Sequence, residues 1–248
     1  MIQNFYDELA PYYRYVYSDW EASSRRQAEA LDAIIRNRWP GARAIMDLAC
    51  GIGTQAIGLA QRGYHVTASS LAAEEVRFAR MNASACNVEI RCHVADMRAP
   101  AARGPFDVVL ACDNAIPHLA SVDEIEAVFR AAAALLRPGG GCLFSVRDYD
   151  AMPLPRHGTH INPRQVHETR AGRITLLDVW DLDGDYYDVT TYIIVDPGNA
   201  APTTHVARGG RYFRVSLPRL AEALARAGFA AVEVIRDSYF QPVLVGTR

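Results

Sequence analysis

The stretch DLACGIGT, Asp47–Thr54, decides how the rest of the sequence folds. It follows a short apolar run and precedes a segment with helical spacing of its apolar residues. A strand that ends in an acid and passes through a glycine turn into a helix is typical of α/β folds that bind nucleotides. Small residues at Ala49, Gly51 and Gly53 let the backbone approach a ligand, and the start of the helix offers free N–H groups.

Strand-like and helical segments alternate after this turn. Short apolar runs are separated by segments whose apolar residues recur at helical spacing. Repeated strand–helix units predict a parallel sheet with helices on both faces. An aromatic-rich segment at 4–18 and a helix from Trp20 to Trp39 precede the turn. We predict strands at 65–69, 89–94, 106–112 and 142–146, and helices at 73–85 and 122–136.

The pattern changes after Asp150. The sequence DGD at 183–185 lies between two strand-like runs, which is a β-hairpin signal. Because no repeat or low-complexity linker separates the parts of the chain, we interpret this hairpin as an insertion in one domain. We expect strands at 174–182 and 186–196, a loop at 197–210, a helix at 218–227 and closing strands at 230–236 and 242–247.

Composition argues against several classes of function. The 248 residues are 50% hydrophobic and 22% charged, and the net charge of −2 gives no electrostatic reason to expect nucleic acid or a membrane as partner. The N-terminus lacks signal-peptide features and no apolar run reaches the length of a membrane span, so we expect a cytoplasmic protein. The five cysteines form no C-x-x-C pair, so we expect reduced, buried thiols and no metal.

Two further motifs follow later strands. Asp96 and Met97, in the sequence VADM, end the third predicted strand. An aspartate there can accept a hydrogen bond from an adenine amine, while the methionine covers the face of the ring. The run FDVVLACDNAIPHL, residues 106–119, delivers Asp113 and Asn114 to the carboxyl edge of the sheet, where open α/β folds bind ligands.

Two cofactor classes exploit such a glycine turn. The spacing G-x-G-x-x-A at 51–56 fits the dinucleotide fingerprint, which makes a nicotinamide-dependent oxidoreductase the alternative at the level of the fold. Asp47 instead suits an acid that accepts hydrogen bonds from a cationic amino group, which is the arrangement of S-adenosylmethionine sites. A dinucleotide enzyme has no special need of the Asp96–Met97 pair, so the motifs together favour S-adenosylmethionine.

These motifs, with LRPGG at 136–140, resemble class I S-adenosylmethionine-dependent methyltransferases over essentially the whole chain. Segments 17–26, 114–119 and 146–150 are most similar to small-molecule N-methyltransferases of the glycine N-methyltransferase type. The resemblance implies an α/β, Rossmann-like class I methyltransferase fold. Its sheet would be mostly parallel and seven-stranded, with an antiparallel last strand and an inserted β-hairpin or lid. The implied cofactor is S-adenosyl-L-methionine.

On this interpretation the single domain has four parts. Residues 1–40 form an aromatic lid and helix, 41–150 the S-adenosylmethionine-binding core, 151–215 the inserted substrate-side strands, and 216–248 the C-terminal helix and closing strands. Six aromatic residues near the N-terminus suit a lid over a cationic sulfonium, which aromatic faces attract. We expect a tyrosine at position 12, 13 or 17 to reach the site.

The resemblance also implies roles for individual residues. Arg25 or Arg26 would bind the carboxylate of the cofactor, and Arg147 a carboxylate of the acceptor. Asn114 would lie near the acceptor, and His118 is either a base or a structural residue. We expect catalytic roles for Asn114, Arg147, Tyr17 and His118. We expect cofactor contacts from Asp47, Ala49, Gly51, Gly53, Ser69, Ser70, Asp96, Met97, Asp113, Arg26 and Tyr13.

One position departs from the family pattern. Close relatives carry an acid on the ribose hydroxyls at the tip of the second strand, where this chain has Ser70. A neutral hydroxyl forms a weaker bond than a carboxylate, so we expect roughly tenfold weaker cofactor binding, which Ser70→Asp would reverse. Glu74 or Glu75 could reach back to the ribose, although their position is equally explained by the helix dipole.

The sequence therefore predicts an S-adenosylmethionine-dependent methyltransferase that acts on a small polar molecule, with an amine nitrogen as the expected acceptor. Two alternatives keep the cofactor. One is different chemistry on it, such as intramolecular cyclisation, and the other is a non-catalytic cofactor-binding homologue. The expected partner is a small-molecule substrate, with no nucleic acid and no membrane.

Overall fold

In the computed structural model, residues 2–170 and 172–248 are described, and they form a seven-stranded and a four-stranded β-sheet. The helices are α1 (Ile2–Leu9), α2 (Trp20–Arg38), α3 (Thr54–Gln61), α4 (Ala73–Ala85), α5 (Val122–Leu135) and α6 (Leu217–Arg226), with 3₁₀-helices at Ala10–Val16 and Ile116–His118. The strands are β1 (Ala44–Asp47), β2 (His65–Ser70), β3 (Arg91–Val94), β4 (Phe106–Ala111), β5 (Leu136–Ser145), β6 (His157–Thr169), β7 (Gly172–Asp183), β8 (Tyr186–Asp196), β9 (Thr203–Phe213), β10 (Ala230–Ile235) and β11 (Val243–Thr247).

The seven-stranded sheet has the order β10-β11-β5-β4-β1-β2-β3. Strands β1 to β5 pair in parallel, whereas β11 runs antiparallel to both β5 and β10. This arrangement confirms the predicted Rossmann-like α/β fold with an antiparallel last strand. Because the chain leaves β1 in one direction towards β2 and later returns to its other side as β4, a crevice opens at the carboxyl ends of these strands.

The central strands are buried on both faces. Ile45, Met46, Val108 and Val109 are fully inaccessible to solvent. Helices cover each side of the sheet, so these strands read as nearly continuous apolar runs rather than alternating patterns. A rigid core of this kind holds the loops at the carboxyl edge in fixed positions.

The inserted part is larger than the predicted hairpin. Strands β7 and β8 pair across the DGD turn as expected, and β6 and β9 extend them into an antiparallel sheet of order β6-β7-β8-β9. The loop predicted at 197–210 is therefore wrong from Thr203 onward. Gly210 explains why the pattern misleads, since a Cβ there would lie 3.0 Å from the ring of Phe5. A strand that needs a glycine for close packing does not look like a strand in sequence.

The N-terminal segment connects the two sheets. Phe5 of α1 packs against β9, and Asp7 Oδ1 accepts a hydrogen bond from the backbone N–H of Glu74 at 2.9 Å. Asp7 thus satisfies one of the free N–H groups at the start of α4, whose own N-cap residue, Ala72, has no side chain to do so. Across the described part of the chain, no helix combines the length and apolar character needed to cross a membrane.

Candidate active site

A cavity opens at the carboxyl ends of the parallel strands. The β1–α3 turn, the tip of β2, the turn after β3, the end of β4 and the N-terminal segment all contribute to its walls. It brings together these predicted cofactor residues: Ala49, Gly51, Ser70, Asp96, Met97, Asp113 and Tyr13. Asp47, Gly53 and Ser69 are not among the residues that line it, and Arg26 lies elsewhere.

The β1–α3 turn presents its backbone to the cavity. Gly51 and Gly53 have φ angles of +53° and +95°, which favour glycine. A Cβ on Gly53 would also lie 2.7 Å from Cδ1 of Ile57, so the Ile57 side chain would have to shift to admit one. The glycines therefore shape the turn, and Gly51 exposes main-chain groups to a ligand.

Asp47 lies fully buried beneath this turn. Its Oδ1 accepts a hydrogen bond from the backbone N–H of Ala49 at 3.1 Å, whereas Oδ2 has no partner among the residues described. Burial raises the pKa of Asp47 to about 7. A buried carboxyl with one unpaired oxygen is costly without a donor, and a cationic amino group near the turn would lower that cost.

The far side of the cavity suits a flat aromatic ring. Leu71, Met97 and Leu119 supply apolar surface, and Asp96 supplies a carboxylate beside them. Arg98 donates to Asp96 Oδ2 at 2.6 Å and holds the pKa of that carboxyl below its usual range. Asp96 therefore stays ionised and available as an acceptor at neutral pH.

A carboxyl group does lie at the tip of β2, and it belongs to Glu75 of helix α4 rather than to a residue of the strand. Ser70 Oγ donates a hydrogen bond to Glu75 Oε2 at 2.5 Å, and Glu75 is buried and lines the cavity. Glu74 instead points outward and pairs with Arg77 at 2.6 Å. Burial raises the pKa of Glu75 to about 8. The cavity wall therefore combines the glycine turn with the carboxyl groups of Glu75 and Asp96 and the apolar side chain of Met97.

Three tyrosines of the N-terminal segment cover this cavity. They are Tyr6, Tyr13 and Tyr17, whereas Tyr12 packs on His205 with ring centroids 5.1 Å apart. Burial raises the pKa of Tyr6, Tyr13 and Tyr17 well above the ordinary value of a phenol. These side chains therefore remain neutral hydrogen-bond donors, and their rings exclude water from the cavity.

Asp113 borders this cavity, which we call the cofactor cavity, and two further cavities. One is open and also lined by Tyr17, Arg147, Tyr239 and Gln241. The other is deeper, and its lining residues include Tyr6, Tyr13, Arg147, Arg164, Asp178, Trp180 and Tyr212. Because Asp113 lines all three cavities, the open cavity and the deeper cavity both adjoin the cofactor cavity at this residue. We call the open cavity and the deeper cavity the acceptor side.

Arg147 is a cation of the acceptor side that contacts a phenol and two aromatic rings. Its Nη1 donates to Tyr187 Oη at 2.9 Å, and its guanidinium lies over the rings of Trp180 and Tyr212, 5.3 and 5.8 Å from their centroids. Within the described residues no carboxylate approaches it to salt-bridge distance. Arg164, by contrast, pairs with the buried Asp178 at 2.5 Å.

Asn114 lies behind the acceptor side rather than on it. The side chain is almost completely buried, with Nδ2 donating to Tyr149 Oη at 2.8 Å and Oδ1 accepting from the backbone N–H of Arg147 at 3.0 Å. Both hydrogen-bonding ends are used, and the residue lines none of the cavities above. The expected direct contact with the acceptor is therefore replaced by a contact that positions Arg147.

His118 is likewise held by protein groups. Its Nδ1–H donates to the backbone carbonyl of Arg211 at 2.8 Å, and Nε2 accepts from Tyr6 Oη at 2.6 Å. Burial lowers the pKa of His118 to about 4, so the ring is neutral. Of the two roles left open by the sequence, the structural one matches this geometry, since His118 joins α1 to β9.

Arg26 does not line the cavity beside the glycine turn. It is exposed, donates to Ser23 Oγ at 3.0 Å and faces the open acceptor-side cavity. Sequence reasoning also missed Arg164, Asp178, Trp180 and Tyr212, which reach the acceptor side from the four-stranded sheet. Their only signal is polar and aromatic residues alternating along predicted strands, which solvent-exposed faces show as well.

Comparison with known proteins identifies the family. A methyltransferase-domain family matches residues 45–140. The ubiquinone biosynthesis O-methyltransferase of Chromobacterium violaceum is 30% identical over 182 residues, which cover 66% of this chain and 76% of that protein. Relatives from Xanthomonas campestris and Bacillus subtilis match over 43% and 41% of their length.

Solved structures share the fold. The S-adenosylmethionine-bound amino pentose methyltransferase CalS10 of Micromonospora echinaspora aligns with a TM-score of 0.75 and 22% identity, over 95% of this chain and 94% of that one. The sugar N-methyltransferase KedS8 of Streptoalloteichus sp. aligns with a TM-score of 0.78 and 23% identity, over 96% and 91%. The chain belongs to the class I S-adenosylmethionine-dependent methyltransferases, and S-adenosyl-L-methionine is its cofactor.

Proposed function

We propose that the protein methylates the amine nitrogen of a small polar molecule that also bears an anionic group. The observation that carries this proposal is Arg147, a partly buried cation on the acceptor side with no carboxylate at salt-bridge distance among the described residues. A partly buried charge without a counter-ion at salt-bridge distance is costly, and a phenol, two aromatic faces and the nearby charge of Asp113 offset only part of that cost. An anionic group on the acceptor would complete the pairing.

Asp113 supports the choice of an amine. Its Oδ2 accepts one hydrogen bond from Tyr17 at 2.6 Å, and a carboxylate has capacity for further donors. An amine N–H of the acceptor can be such a donor at the junction of the three cavities. Asp113 would orient the nitrogen towards the cofactor, while Arg147 holds the other end of the molecule.

The remaining task of the chain is alignment and exclusion of water. The bound cofactor supplies a methyl group already activated by the sulfonium. Well-oriented reactants need little more than correct placement, and the neutral phenols of Tyr13 and Tyr17 close the site without competing as bases.

The resemblance to small-molecule N-methyltransferases of the glycine N-methyltransferase type supports a nitrogen acceptor, as do the sugar N-methyltransferases among the structural neighbours. The competing acceptor is a hydroxyl, because the Chromobacterium violaceum relative is named an O-methyltransferase. The comparisons do not favour cyclisation chemistry or a non-catalytic homologue.

A panel of matched acceptors tests the proposal. The protein is incubated with methyl-labelled S-adenosylmethionine and, for one carbon skeleton at a time, an amino acid, its amide and the corresponding hydroxy acid. Label should pass to the nitrogen of the amino acid, with S-adenosylhomocysteine as coproduct. Preference for the hydroxy acid, equal use of the amide, or release of methylthioadenosine would contradict it.

A further inference from the structure

The buried carboxyl of Glu75 is unusual for the first turn of a helix. Acids there usually stay exposed and complement the helix dipole, as Glu74 does while pairing with Arg77. Glu75 is only 4% exposed and forms no salt bridge within the described residues. Besides burial, the negative charge of Asp7 raises the pKa of Glu75 further. Neither the dipole nor an ion pair explains its inward position.

The position of the carboxyl is well defined. Oε2 accepts the hydrogen bond from Ser70, whose own oxygen accepts one from the backbone N–H of Ala72 at 3.3 Å. A Cβ built on Gly51 would lie 3.5 Å from Oε1. The carboxyl therefore lies between the tip of β2 and the glycine turn, on the wall of the cofactor cavity.

One oxygen of this carboxyl is left for a ligand. Among residues 2–170 and 172–248 no group donates a hydrogen bond to Oε1 of Glu75, although the side chain is nine-tenths buried. Oε1 faces the cavity and can accept hydrogen bonds there, and the two neighbouring hydroxyls of a ribose are donors of suitable chemistry. An acid at the tip of β2, next to the same turn, would occupy the same region.

We propose that Glu75 binds the ribose hydroxyls of S-adenosylmethionine and so replaces, from helix α4, the acid that Ser70 lacks. Ser70 then has a second role, because its hydroxyl fixes the orientation of the Glu75 carboxylate. This assignment concerns the cofactor alone and does not depend on the acceptor. It also reverses the expectation for Ser70→Asp, since a second carboxylate beside Glu75 would repel it in a buried site.

Binding of S-adenosylhomocysteine, measured by isothermal titration calorimetry, tests the assignment. Glu75→Gln keeps the size of the side chain and removes its charge, and it should weaken binding roughly 10- to 100-fold. Glu74→Gln is the matched control in the same helical turn and should leave affinity unchanged. Ser70→Asp alone should weaken binding, while Ser70→Asp combined with Glu75→Gln should recover most of the affinity because it moves the acid to the strand.

Cofactor analogues provide a readout in the unaltered protein. The 2′-deoxy and 3′-deoxy forms of S-adenosylhomocysteine should bind the wild type more weakly than the parent compound, and the difference should shrink in Glu75→Gln. Thermal unfolding of each ligand-free variant shows that it is folded. Tighter binding by Ser70→Asp alone, an unchanged affinity in folded Glu75→Gln, or full wild-type affinity for both deoxy analogues would overturn the proposal.

Discussion

The phenol of Tyr17 donates a hydrogen bond to Oδ2 of Asp113 at 2.6 Å. This bond joins the N-terminal segment to the end of β4 at the junction between the cofactor cavity and the acceptor side. The position of the N-terminal segment and the orientation of Asp113 therefore depend on the same hydrogen bond. Asp113 is the residue proposed above to orient the acceptor nitrogen.

Removing this hydrogen bond should slow methyl transfer more than it weakens cofactor binding. Tyr17→Phe keeps the ring that excludes water but leaves Asp113 without its donor, a loss of about 1 kcal/mol or somewhat more. We expect roughly a tenfold lower single-turnover rate, with a small change in the Kd of S-adenosylhomocysteine. Tyr12→Phe is the matched control, because Tyr12 lines none of the three cavities. Equal rates for the two variants would contradict the role of the bond.

The ligand-free protein should lose stability as the pH rises from 6 to 8. The folded-state pKa values of Glu75 and Asp47 are raised to about 8 and about 7, so the folded protein holds these protons more tightly than the unfolded chain. Their contribution is greatest below the unfolded pKa values and is lost as pH rises through the folded ones. For Glu75 alone the loss over this range is roughly 2 kcal/mol. Denaturant unfolding measures it.

Glu75→Gln should remove most of the decrease in stability between pH 6 and 8, whereas Glu74→Gln should leave that decrease unchanged. The groups that surround Glu75 and contribute to its environment are Asp7, Tyr6, Tyr13, Ser70, Cys50 and Cys92. Since Tyr6 and Tyr13 have raised pKa values, neither phenol titrates in this range. A slope that persists unchanged in Glu75→Gln would show that another group is responsible.

Cofactor affinity should depend on pH in the opposite direction. Donors on the ribose favour the ionised carboxylate, so binding below about pH 8 releases a proton from Glu75. We expect the Kd of S-adenosylhomocysteine to fall several-fold between pH 6 and 8, and calorimetry in buffers of different ionisation enthalpy to detect the released proton. The Glu75 contribution should be absent in Glu75→Gln, whereas any part due to Asp47 should remain.

Replacing His118 should loosen the N-terminal segment and leave the chemistry intact. Loss of the bonds to Tyr6 and to the Arg211 carbonyl costs roughly 1–3 kcal/mol of stability. His118→Ala should therefore be cleaved faster near α1 by protease, and saturating cofactor should slow that cleavage. The shape of its pH–kcat profile should match that of the wild type. Loss of an acidic limb from the profile would instead identify His118 as a base.

The parallel core could be predicted from sequence because each part has a local signal. The apolar runs of β1 and β4 are nearly continuous since both faces are covered, and the turn after Asp47 needs glycines for its φ angles. The loop predicted before residue 210 failed for the opposite reason. Gly210 lets β9 pack on Phe5 but weakens the strand pattern. No residue close to Gly210 in sequence indicates that α1 packs there.

The site was only partly predictable for similar reasons. Glu74 and Glu75 are adjacent in one helical turn, and only the packing of α1 and β2 around α4 makes one exposed and the other buried. Asn114 has the residue type of an acceptor ligand, yet both of its hydrogen-bonding ends are satisfied by residues distant in sequence. Residue identity suggested the chemistry, whereas tertiary neighbours decided which atoms remained free.

In the proposed function, Arg147 binds an anionic group of the acceptor. This role is measured by comparing kcat/KM for an accepted amino acid with kcat/KM for its amide, which lacks the carboxylate. The ratio of the two values is determined for the wild type and for Arg147→Met. The ratio should be large in the wild type and fall at least tenfold in the variant, mainly through KM for the acid. Arg91→Met, an exposed control outside the three cavities, should keep the wild-type ratio. An unchanged ratio in Arg147→Met would contradict the account.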